Sequence, residues 1–158
     1  MDIGLSFYEV IVGFLFGILG LCAGSFSTAI IYRENKNLPW FQLKGEHARS
    51  ICPSCNTELN FQDLFPVFSW ISTQGKCRYC RKKIPLFYPL LELICAVSSI
   101  LLYLWSGLSV ISVTALCCLP FLVSLVYLGL FKQRFSLRLV AIVVAIGTFA
   151  FILQLIFN

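Results

Sequence analysis

Long, unbroken apolar runs separated by shorter polar breaks dominate this chain. Four of them stand out: Val10 to Ile31, Leu86 to Trp105, Val110 to Leu130 and Leu137 to Phe157. A bilayer core about 30 Å thick is crossed by about 20 apolar residues in helical form. Each run has that length, so four transmembrane helices are expected. No basic residue precedes the first run, where Asp2 and Glu9 are the only charges, so it reads as a span and not as a cleavable signal peptide. The one extended polar stretch, Tyr32 to Phe87, lies between the first and second runs. The chain therefore divides into residues 1–31 (terminal segment and first span), 32–85 (a loop with domain-like content) and 86–157 (three further spans).

Composition agrees with this division. The 158 residues are 59% hydrophobic and 12% charged, with mean hydropathy +0.88, far from the balance of a soluble domain. Charge placement then orients the spans. Nine of the 12 Lys and Arg residues fall between Arg33 and Lys83, and the other three, Lys132, Arg134 and Arg138, bracket the break between the third and fourth runs. The N-terminal segment and the Ser106-Gly107-Leu108-Ser109 break carry none. Basic loops stay in the cytoplasm. Both basic loops therefore face the cytoplasm, as in an inner-membrane-type protein, and both termini face the other side. The net charge of +5 is a topology signal, so no nucleic-acid partner is expected, whereas acidic membrane lipid would hold the basic loop near the surface.

The polar loop carries two C-x-x-C knuckles, Cys52-Pro-Ser-Cys55 and Cys77-Arg-Tyr-Cys80. Each knuckle supplies an adjacent pair of thiolates, and two knuckles complete a tetrahedral site for zinc. A loop with few core-forming positions needs such a staple. Disulfides are the competing account, disfavoured by a reducing cytoplasm, and an iron–sulfur or redox site stands behind them. A closed four-cysteine site leaves no open coordination position, so the ion would be structural. Cys22, Cys95, Cys117 and Cys118 lie in the apolar runs and read as small packing residues.

Other positions leave more room. Gly13, Gly17, Gly20 and Gly24 line one side of the first helix and permit close helix approach. The facing surface is another helix of the chain, a dimer seam or a substrate helix. Asp63 is a turn former or cap, or a site carboxylate, and Pro66 makes continuous helix beside it improbable. Glu92 falls near the cytoplasmic end of the second span, with a structural hydrogen bond and a substrate-facing role both open. His47, the single histidine, reads as solvated.

These motifs carry a family resemblance. Gly24-Ser25-Phe26 with Ile30-Ile31-Tyr32-Arg33, then Arg49-Ser50 before the first knuckle, resemble the N-terminal part of type IV prepilin peptidases. So do Asp63-x-x-Pro66-x-x-Ser69-Trp70, Gly75-Lys76-Cys77-Arg78-x-Cys80 and Tyr88-Pro89-Leu90-x-Glu92-Leu93, in the same order. The resemblance covers about residues 17 to 96. It implies an all-α polytopic membrane protein of about four transmembrane helices with a cytoplasmic four-cysteine zinc loop. It also implies a leader peptidase that N-methylates the new N-terminus of a prepilin or pseudopilin with S-adenosylmethionine, beside pilus or type II secretion machinery. Gly24, Ser25, Asp63, Gly75 and Glu92 are then the candidate substrate or methyl-donor residues, with Gly75 tied to methylation.

The second half departs from the pattern. Family proteolysis uses two aspartates on later helices, the second in G-x-G-D, whereas Asp2 and Asp63 are the only aspartates here and Tyr127 aligns with the first catalytic position. An aspartyl protease needs a carboxylate pair that shares a proton. Autonomous cleavage is therefore not expected. Three readings follow: a short family member that retains the zinc loop and methyl transfer, a non-catalytic binder of pilin-like helices, or half of a split peptidase.

Overall fold

The computed structural model describes residues 6–40, 49–133 and 136–157. His47, Asp2, Arg134 and Asn158 lie outside them. Among the described residues five α-helices form: α1 (Phe7–Asn35), the short α2 (Phe68–Ser72), α3 (Phe87–Ser106), α4 (Val110–Lys132) and α5 (Leu137–Phe157). A 3-10 turn, Phe61–Asp63, precedes α2. Among the described residues no strand forms, and the loop holds two isolated antiparallel bridges, Ile51–Glu58 and Lys76–Lys83. The four long helices are each long and apolar enough to cross a membrane, matching the four apolar runs.

Helix α1 outgrows its apolar run at both ends, for local reasons. Ser6 accepts the Glu9 N–H at 3.3 Å while Glu9 takes the Ser6 N–H at 2.7 Å, a reciprocal cap that starts the helix before Val10. At the other end Arg33 donates to the carbonyls of Pro39 (3.1 Å) and Trp40 (2.6 Å), folding the exit of the helix back on itself. The α3–α4 turn uses Gly107 at φ +63° and a Ser109–Ser112 cap.

Helix α1 is the hub, packing on α3 and α4, while α5 rests chiefly on α4. The glycine stripe is what lets α3 approach. A Cβ on Gly20 would lie 2.7 Å from the Ala96 Cα, and one on Gly24 would lie 2.5 Å from the Glu92 Cα. The stripe is thus filled by a helix of the same chain and is not a free groove for a substrate helix. Polar side chains in this seam are satisfied locally. Ser27 donates to Gly24, Thr28 to Ser25 and Ser99 to Cys95, each through a carbonyl of its own helix. Ser124 of α4 reaches the Ser27 carbonyl of α1 at 3.2 Å, beside Pro120, which has no N–H to give.

The best-buried apolar cluster, Ile30, Ile31, Leu128 and Leu139, joins α1, α4 and α5 at the end of the bundle that bears the loop. Tyr127 belongs to an aromatic stack there, 4.6 Å from the Phe87 ring and 5.1 Å from that of Phe131. Of the cysteines assigned to packing, Cys95 and Cys118 are buried, whereas Cys22 and Cys117 face outward. A lipid-facing wall accepts a small apolar thiol as readily as a core does, so burial was not required at those two positions.

Candidate metal centre and adjoining cavity

The two knuckles are the same device built twice. Cys52 N–H donates to the Thr57 carbonyl at 3.0 Å and Asn56 N–H to the Cys52 carbonyl at 2.9 Å. In the second, Cys77 N–H donates to Lys82 at 2.8 Å and Arg81 N–H to Cys77 at 2.9 Å. Asn56 and Arg81 both take positive φ, 55° and 59°, closing each turn so that its two sulfurs point the same way. The correspondence extends outward, with Leu59 N–H on Ser50 and Ile84 N–H on Gly75. Sequence reasoning saw the spacing and missed the repeat, whose signal is the shared pattern of a polar residue after each second cysteine.

Cys52, Cys55, Cys77 and Cys80 converge as expected, with their sulfurs all within 4.8 Å of one another and Cys52 to Cys80 at 4.0 Å. Zinc–sulfur bonds of about 2.3 Å in a tetrahedron require sulfurs about 3.8 Å apart, so the group fits with a small contraction. The four thiols sit in unequal surroundings. Hydrogen bonds from the Thr57 side chain and backbone lower the Cys55 thiol to about 6. The Cys80 thiol is pushed up to about 11 despite a backbone hydrogen bond from Lys82, by burial and by its three sulfur neighbours. A divalent ion would displace the remaining protons, which is the usual coupling of binding to deprotonation.

Asp63 braces this centre. Its carboxylate accepts from Arg78 Nε at 2.8 Å, from the Tyr79 hydroxyl at 3.0 Å and from the Asn60 N–H at 3.1 Å. Arg78 and Tyr79 are the two residues inside the second knuckle, so Asp63 ties the 3-10 turn to it. Burial opposes ionisation of Asp63, but these donors outweigh it and hold the carboxyl below the usual range. Gly75 has a plain steric role. It sits at φ +66°, and a Cβ there would lie 2.7 Å from the Trp70 ring. Trp70 in turn donates Nε1–H to the Ile84 carbonyl at 3.1 Å.

Glu92 joins the loop to the helices. It is 8% exposed, and its carboxylate accepts the Val67 N–H at 2.6 Å. Val67 is β-branched yet lies at φ +59°, ψ −46°, with Phe68 N–H closing a tight turn onto the Pro66 carbonyl. Such a conformation is costly for a branched residue and persists when the surroundings hold it. Nothing in the local sequence announces it.

Between α1, the knuckles and the start of α3 lies a cavity of about 450 Å³. Ser25, Asp63 and Glu92 line it, together with Trp70 and Tyr88, whereas Gly24 and Gly75 stand behind its walls. Its volume falls within the range of about 300–1,000 Å³ typical of small-molecule sites.

The pattern of the family described as the bacterial peptidase A24 N-terminal domain matches residues 18–106. The chain is 36% identical over 88 residues to a prepilin leader peptidase/N-methyltransferase of Vibrio cholerae serotype O1, covering 54% of this chain and 35% of that protein. It is 32% identical over 136 residues to the protein of the same name from Neisseria gonorrhoeae, covering 72% and 46%. With the Myxococcus xanthus protein of that name, identity is 40% over 81 residues, covering 51% and 22%. The chain thus spans less than half the length of each of these relatives. No solved structure matches it.

Proposed function

Because the chain belongs to the family of bacterial A24 peptidase N-terminal domains, we propose that it serves the handling and N-methylation of prepilin-type substrates at a bacterial inner membrane. The observation that carries this reading is the cavity between α1, the knuckles and α3, with an aromatic wall and a buried carboxylate. It suits S-adenosylmethionine in size, and Trp70 and Tyr88 give part of its lining the aromatic character that a purine ring favours. Ser25 and Glu92 mark the end nearest the membrane helices, where a substrate amine would arrive. The knuckle thiolates would hold one zinc ion, which keeps the loop folded and takes no part in the chemistry. The distribution of Lys and Arg supports a cytoplasmic loop and periplasmic termini.

Methyl transfer calls for positioning of a donor and an unprotonated amine. Leader cleavage calls for a carboxylate pair. Asp63 is engaged by Arg78 and Tyr79, and no aspartate follows it in these 158 residues, so cleavage by these residues alone is not expected. The test is an assay of the purified chain with radiolabelled S-adenosylmethionine and a pre-cleaved pilin segment bearing a free N-terminus. Label on the segment is the expected result. Absence of transfer, together with absence of donor binding, would overturn the reading.

A further inference from the structure

The segment between the two knuckles carries its polar groups on the inside. Asp63, Ser69, Trp70 and Thr73 line the cavity, whereas Phe61, Phe65, Phe68 and Ile71 do not. Those four are 77%, 51%, 70% and 62% exposed. They recur three or four residues apart, and the Phe61 and Phe65 rings meet edge to face with centroids 5.4 Å apart. The segment thus has the reverse of the polarity that water selects. Three phenylalanines exposed to this degree present about 400 Å² of apolar surface, a size at which such patches are commonly binding surfaces.

A contact across the loop sets the depth of this patch. The Val67 N–H, between Phe65 and Phe68, donates to the Glu92 carboxylate at 2.6 Å. Glu92 is the sixth residue of α3, about 7.5 Å along the axis from Phe87. Helical side chains lean toward the N-terminus, so the turn at Val67 stands level with the opening turns of α3. At that level Leu86, Leu90 and Leu93 already face outward, as on a helix entering lipid. The second knuckle, which Arg78 and Tyr79 tie to Asp63, exposes Lys76, Arg81, Lys82 and Lys83. None of these four enters an ion pair among the described residues. Apolar side chains flanked by cations suit the boundary between acyl chains and anionic headgroups. A protein partner would not require the match in depth. We infer that Phe61, Phe65, Phe68 and Ile71 form an interfacial anchor, inserted into the bilayer that α3 crosses. The anchor fixes the height of the knuckle loop at the membrane, whatever fills the cavity.

The experiment places the photo-crosslinker benzoylphenylalanine at one position at a time in the full chain, in nanodiscs of mixed zwitterionic and anionic lipid. Positions 65 and 68 test the anchor, Leu90 on α3 reports lipid, and the exposed Glu58 of the first knuckle reports water. At 65 and 68 the crosslinker keeps an aromatic ring at an outward position, so no buried contact is disturbed. Mass spectrometry identifies what each position has joined. Positions 65 and 68 are expected to give lipid adducts at a yield near that of Leu90 and about tenfold above that of Glu58, as for side chains about 5–10 Å into the boundary. Lipid adducts at Leu90 with none at 65 and 68 would overturn the inference. So would adducts that join position 68 to a second copy of the chain in place of lipid. Absence of lipid adducts at all three positions would remove the spanning α3 on which the anchor rests, and the inference with it.

Discussion

The knuckle loop and the helical bundle of this chain are held together by opposite means. In the bundle, cohesion is spread along close helix seams where glycine and serine admit a neighbouring backbone, as at Gly20, Gly24 and Ser27. In the loop, the large apolar side chains Phe61, Phe65 and Phe68 point outward, and the buried positions at the knuckles are Cys52, Gly75 and Cys77. Bundle stability is distributed; loop stability is concentrated in one four-sulfur group and the backbone turns around it. The cavity lies where the two meet, so its shape depends on both and on the Glu92–Val67 contact that joins them.

Removing the metal should separate the two regions most sharply. Structural zinc in small knuckle domains contributes about 10–16 kcal/mol at neutral pH. Cys77→Ser, or strong chelation, is expected to make residues 49–85 protease-sensitive while helical circular dichroism stays near its starting value. Limited proteolysis with metal analysis checks this, and a protease-resistant, metal-free loop would break the contrast.

The reciprocal lesion is Gly24→Leu. Its side chain would have to enter the space held by the Glu92 backbone, so a loss of about 3 kcal/mol or more is expected, as for severe overpacking. Gly129→Ala is the control, since a Cβ there meets nothing within 4 Å. Detergent unfolding of both variants makes the comparison. Failure of Gly24→Leu to destabilise the bundle would mean that α1 and α3 are not in close contact.

Asp63→Asn acts inside the loop and should cost about 1 kcal/mol, because Arg78 is half-exposed and solvent screens the pair. The folded-state value of Asp63 is depressed, so its contribution is complete above the unfolded value of about 3.9. That contribution is lost as pH falls through the lower folded value. A double-mutant cycle with Arg78→Gln, read from loop proteolysis at neutral pH, isolates the coupling from acid release of the metal. Additive single effects would show that Asp63 does not brace the second knuckle.

The smallest effect is expected far from the junction. Phe149 on α5 is 63% exposed, and Phe149→Ala should shift detergent unfolding by no more than about 0.5 kcal/mol. A large loss would show that this face of α5 is covered.

Much of the architecture was legible because its determinants are local. An apolar run long enough for a bilayer names its own helix, and the four spans begin and end within a few residues of the runs. The C-x-x-C spacing likewise named the four sulfurs that converge. What escaped was set by contacts between distant segments. The positive φ of Val67 is sustained by Glu92 across the loop, and Asp63 is spent on Arg78 and Tyr79, which no spacing rule couples. Gly24 was read with three possible neighbours, and only the assembled bundle shows α3 against it. Gly75 is explained by the Trp70 ring folding onto it.

The cavity between the knuckle loop and the helices is proposed to hold a methyl donor, with its shape kept by a metal in the four-cysteine group. Calorimetric titration of S-adenosylmethionine into the full chain in nanodiscs, before and after stripping the metal, tests it directly. Saturable binding to the metal-loaded chain is expected, with its loss on stripping and recovery when zinc is restored. Binding that is absent from the loaded chain, or unchanged when the metal is removed, would contradict it.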